Sequence, residues 1–213
     1  MFKKFKKLIP VFIVIGFFAA LALSGCATQA AKTGFLKNYS NLEPHPDIDG
    51  QHRYINPHID AAKYSKFIVD PVAVNLSSKG KERGTDPKEL SRLATFFRQK
   101  IIEELQKGYE VVQSSGPNVA RVRASISDVD KTLAALNILP TTKIMGGGLG
   151  GAAAEMELVD SVTGQSIAAA IDSQKGSRLS IGAGLSEFGH AEEVMANWAK
   201  QLKKWVDQTH GKF

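Results

Sequence analysis

A chain of 213 residues, 43% hydrophobic and 23% charged, suits one globular domain with appendages better than two domains. Its formal charge of +6 is concentrated at the start. Lys3, Lys4, Lys6 and Lys7 precede Cys26 with no acid among them, so 27 bases less 4 leaves 23 against 21 acids, a net +2 for the remainder. That near-neutral balance argues against a nucleic-acid partner, and a single cysteine excludes an intrachain disulfide and a cysteine-rich zinc site.

Residues 1–8, MFKKFKKL, form a positively charged leader, followed by an apolar stretch from Ile9 to Leu23 broken only by Pro10 and Gly16. Its uncharged core, Val11 to Leu23, would span about 20 Å as a helix at 1.5 Å per residue, short of the roughly 30 Å hydrocarbon thickness of a bilayer. Residues 1–25 therefore read as a cleavable export signal rather than a permanent span. Leu23-Ser24-Gly25-Cys26 closes the segment and resembles the lipobox of bacterial lipoproteins, with small side chains that admit a signal peptidase and a nucleophilic thiol. The resemblance implies that Cys26 becomes the N-terminus and carries acyl chains such as palmitate on its sulfur and new amine. Two or three chains anchor without spanning, because each buried methylene contributes about 0.8 kcal/mol. Ala27, where an aspartate commonly retains such proteins in the inner membrane of enteric bacteria, points by the same resemblance to the outer membrane, facing the periplasm.

Residues 26–33 lack large apolar side chains after Cys26 and read as a lipidated tether. At up to about 3.5 Å per residue, 27–33 could hold the domain some 25 Å from the bilayer. The domain proper is expected over 34–213, opening with an irregular extended arm at 34–57, where Pro44, Pro46, Pro57 and Gly50 prevent long regular elements. Phe35, Leu36, Tyr39 and Leu42 are large enough that the arm is expected to pack across the domain.

Tyr64 to Asn75 is rich in β-branched and aromatic residues and reads as a buried strand, with Pro71 implying an edge or bulge. Asp86-Pro87-Lys88-Glu89 supplies a cap, a proline at the first helical position and an acid in the first turn. Leu90, Leu93, Ala94, Phe97, Ile101 and Leu105 then recur at helical spacing to Gly108, predicting a helix over 87–106. Tyr109 to Gln113 reads as a short strand. Ala120, Val122, Ala124 and Ile126 alternate with Arg121, Arg123, Ser125 and Ser127, predicting a strand with one buried and one wet face. Ala154, Met156 and Leu158, then Asp160-Ser161-Val162-Thr163-Gly164, then Ile167, Ala169 and Ile171 read as a β-hairpin. Val194, Trp198, Leu202, Trp205 and Val206 line one face of a closing helix over 190–209. The class is α+β: a mostly antiparallel sheet packed by two long helices, in the order β-α-β-β-β-β-α.

The run Gly34-Phe35-Leu36, Tyr39-Ser40, Leu42 and Pro44, with Arg53 to Pro57, Val69 to Val72 and the turn Asp160 to Gly164, resembles the bacterial lipoprotein family known as domain of unknown function 3313 (DUF3313). The likeness extends over nearly all of the chain after Cys26. It implies an envelope address and this fold, and it brings no catalytic residue.

Gly146, Gly148 and Gly151 match G-x-G-x-x-G, but a strand follows where a dinucleotide site needs a helix, so a closely packed loop is expected. His45, His52 and His58 alternate with Asp47, Asp49 and Asp60, a set that suits a divalent metal in type, yet among prolines nothing fixes their geometry, and a solvated polar loop is expected. G-x-S-x-G is absent. Trp198 and Trp205 read as core, with a partner anchor as the alternative. The apolar run Leu133 to Met145 suits either a covered segment or a contact surface. No cofactor, metal or catalytic residue is assigned. The function expected is a non-enzymatic envelope module binding a protein or the cell wall; the alternatives are a periplasmic hydrolase using the histidine arm and a carrier of a small apolar ligand.

Overall fold

The computed structural model describes residues 31–133, 149–177 and 182–212. The leader, the lipobox with Cys26, Gly146, Gly148 and most of the Leu133 to Met145 run lie outside the described residues; Leu133 itself is 55% exposed.

Eight strands form one sheet: β1 (Glu43–Pro44), β2 (His52–Ile55), β3 (Lys66–Val69), β4 (Ala73–Val74), β5 (Glu110–Val111), β6 (Val119–Asp130), β7 (Gly151–Asp160) and β8 (Ser166–Lys175). Their spatial order is β1-β2-β8-β7-β6-β3-β5, with β4 also paired to β6. Pairing is antiparallel from β1 through β6, whereas β3 and β4 run parallel to β6 and β5 runs parallel to β3. Among the described residues the α-helices are α1 (Ser78–Glu82), α2 (Pro87–Gln106) and α3 (Gly189–Thr209). The α+β class and the two long helices are as the periodicity predicts.

Local chemistry explains the boundaries. The Asp86 carboxylate accepts from Lys88 N at 2.8 Å and Pro87 opens α2, whose buried stripe is the six-residue set read from the sequence. In the β7–β8 turn, Asp160 Oδ1 accepts from the amides of Val162 and Thr163 at 3.0 and 2.8 Å, and Gly164 adopts φ +69°. These bonds, the Thr163 amide first, hold the Asp160 carboxyl at about 2.

Three departures from the sequence reading have physical causes. The stretch 64–75 is two strands, β3 and β4, because Asp70-Pro71 interrupts the ladder between them. The arm is not wholly irregular: β1 and β2 form a short hairpin that extends the sheet at β8. The face of β6 bearing Ser125 is not wet. Ser125 is fully buried and Arg123 half-buried, since the arm covers that face, with Phe35 stacked 5.2 Å from the Arg123 guanidinium.

The sheet therefore has two covered faces. On one, α2 and α3 enclose the main core around Phe67, Phe97, Ile126 and Trp198. On the other, Leu36 packs with Ala169 and Ile171, flanked by Phe35, Tyr39, Leu42 and Tyr54.

Candidate functional site

The course of α3 creates a cleft. Near its middle, Trp198 Nε1 donates to Asp172 of β8 at 3.0 Å. Nearer its C-terminus, Asp207 accepts from the Tyr109 hydroxyl at 2.9 Å, just ahead of β5 at the far edge of the sheet. The helix thus crosses the sheet and leaves the β2–β8 corner uncovered. Small side chains deepen the gap, since Ala168 and Ala170 form its floor where β-branched residues would fill it. The result is a cleft of about 540 Å³, within the range of small-molecule sites.

Its inner end is polar. Asp172, 4% exposed, accepts from Trp198 Nε1 and, at 2.6 Å, from Gln51 Nε2 on one oxygen; its other oxygen accepts from Gln174 Nε2 at 2.9 Å. Gln51 also donates to Gln201 of α3 at 3.2 Å, linking the arm to the helix. Burial raises the Asp172 carboxyl above the ordinary range, against the opposing pull of these donors. Around the middle, Met156, Leu202 and Trp205 stay half-buried although they face the helix side. Arg53, Lys204 and Gln208 stand at the mouth. The lining combines hydrogen-bonding groups, charge and apolar surface.

A second feature lies on the opposite face, because Glu155 alternates with Ala154 and Met156 along β7. Its fully buried carboxylate accepts from Thr33 N at 2.6 Å, from Leu36 N at 3.4 Å and from the Tyr39 hydroxyl. Burial, then the bond to Glu155, raises the Tyr39 phenol. One strand thus carries the cleft on one side and a clamp for the start of the arm on the other.

The three arm histidines are not brought together as a site. His45 borders the cleft, where burial and then the Arg53 charge lower its pKa. His52 lies in β2, opposite Ile171 of β8, and His58 is exposed. Among the described residues no group of three or more His, Cys, Asp or Glu side chains is placed to hold a metal. Gly151 opens β7, where a Cβ would come within 2.4 Å of Gln174 O, so this glycine serves close strand approach. Trp198 is core, 3% exposed and 5.7 Å from the Phe97 ring, with its edge on the cleft, and Trp205 is half-buried in the cleft lining. Sequence reasoning missed Asp172, Gln51 and Arg53. The available signal was the pair of alanine triplets, 152–154 and 168–170, on strands that otherwise carry bulkier residues.

The family described as protein of unknown function, DUF3313, matches residues 31–202. No curated protein matches the chain. Among solved structures, a PelC dodecamer from Paraburkholderia phytofirmans is 11% identical with a TM-score of 0.41, covering 75% of this chain and 96% of its own. A Xanthomonas campestris protein is 12% identical with a TM-score of 0.40, covering 74% and 91%. A candidate lipoprotein from Caulobacter crescentus is 8% identical with a TM-score of 0.34, covering 71% and 93%. At these scores none of their properties transfers to this chain.

Proposed function

The chain belongs to the DUF3313 family of proteins of unknown function, and from that premise we propose that it is a lipid-anchored envelope protein whose domain is a non-enzymatic binding module. In this reading Cys26 is acylated, the outer membrane holds the lipid, and the domain works in the periplasm. The observation that carries the proposal is the two-sidedness of β7. The arm that follows the tether is clamped by Glu155 on one face, and the α3 cleft opens on the other. Thr33 lies seven residues after Cys26, a reach of roughly 25 Å, so a lipid at Cys26 is attached on the arm side of the sheet, opposite the cleft. Apolar walls with a few hydrogen-bonding side chains, most of them already paired around Asp172, suit a binding site.

The test compares wild type with Cys26→Ser in cells labelled with palmitate. Wild type is expected to incorporate label, lose the leader and sediment with membranes, while the variant does none of these. Equal behaviour of the two would refute the lipid anchor.

A further inference from the structure

We propose that the α3 cleft binds a small anionic amphiphile, an apolar body carrying one acid group of the fatty-acid type; this rests on the reading of the cleft as a binding site. The argument begins with what is left unpaired. Arg53 is half-buried in the cleft wall, and among the described residues its guanidinium closes no ion pair or hydrogen bond. Glu43 stands opposite it in the β1–β2 register without pairing. A partly desolvated guanidinium presenting unused donors is matched by a carboxylate or phosphate, which accepts two parallel bonds from it. Lys204, on the α3 side of the same mouth, adds a second cation with no partner among the described residues.

The acids nearby do not compete for this role. Asp172 has both oxygens occupied by Trp198, Gln51 and Gln174, and burial favours its neutral form. Glu157 is paired with Arg123 at 2.9 Å, and Asp47 is exposed on the rim loop. The rest of the ligand is read from the floor and helix wall. Met156, Ala168, Ala170, Leu202 and Trp205 present apolar surface on the side of the sheet that elsewhere forms the core, and each remains half-buried. An apolar body laid along them completes the packing that α3 leaves open. The acid group then sits at the mouth and the chain lies beneath the helix.

The chain has two tryptophans, and both line this cleft, so intrinsic fluorescence reports its occupancy. The mature lipoprotein is inserted into phosphatidylcholine vesicles at about pH 8, where a carboxylate is ionised, and titrated with octanoate or its neutral counterpart 1-octanol. Octanoate is expected to give a saturable spectral shift at a concentration at least about tenfold lower than octanol, the discrimination of one charge-assisted pair. Arg53→Gln should abolish that preference. Ala170→Leu, which fills the floor, should remove the response to both. Equal half-saturation for octanoate and octanol, or a preference that survives Arg53→Gln, overturns the anionic ligand while leaving the cleft a binding site. No saturable response to either compound overturns the proposal and the binding-site reading together.

Discussion

Replacing Glu155 with leucine should release the arm without unfolding the domain. The wild-type carboxylate is fully buried and accepts from Thr33 N at 2.6 Å and from the Tyr39 hydroxyl, with a longer contact from Leu36 N at 3.4 Å. Two buried hydrogen bonds at about 1.5 kcal/mol each give roughly 3 kcal/mol. That corresponds to about a hundredfold increase in local opening. Leucine puts an apolar side chain of similar size in the place of a fully buried polar one, so the penalty to the core is small. Hydrogen exchange read by peptide mass separates the two effects. Peptides from 33–42 should exchange about a hundredfold faster in Glu155→Leu, while peptides from α2, packed around Phe97 and Ile101, keep their protection. Unchanged exchange in the arm would refute the clamp, and equal acceleration in α2 would show that Glu155 supports the whole fold instead.

Three further expectations follow from the same contacts. Burial raises the Asp172 carboxyl in the folded state, so its favourable contribution is complete below the unfolded value and is lost as pH rises through the folded one. The melting temperature of wild type relative to Asp172→Asn should therefore fall as pH rises above the unfolded value of about 4; a constant difference would contradict this. Asp160 is shifted the other way, to about 2, so its stabilisation is present above the unfolded value of about 4 and disappears as pH falls toward 2. Asp160→Asn should be destabilised at neutral pH and converge with wild type in acid melts, and divergence there would refute the assignment. Phe97 is fully buried against the Trp198 ring at 5.7 Å, so Phe97→Ala should lose about 3–5 kcal/mol in urea denaturation, and a loss under about 1 kcal/mol would be inconsistent with a central position.

The elements were legible where local chemistry and tertiary packing agree. In α2 the Asp86 cap, Pro87 and the apolar stripe all specify one helix, and it spans the predicted residues. The Asp160 to Gly164 turn was equally readable, because a side-chain acceptor and a glycine at positive φ fix its geometry. The second face of the sheet was not. Alternation marks Ser125 and Glu155 as solvent-facing, but their burial depends on an arm more than 80 residues away, which no local period encodes. The cleft was hidden for a related reason. It arises from the crossing of α3 from Asp172 to Tyr109, a relation between distant contacts. Asp172 itself lies on the half of β8 that alternation reads as wet, although Trp198 covers it.

In the proposed arrangement the cleft and the lipid attachment lie on opposite sides of the sheet. The mature lipoprotein can be placed in vesicles whose phosphatidylcholine carries bromine along its acyl chains, a short-range quencher of indole fluorescence. Because Trp198 and Trp205 both line the cleft, their emission should match that in unbrominated vesicles. Strong quenching of the pair would put the cleft against the bilayer and contradict the proposed arrangement.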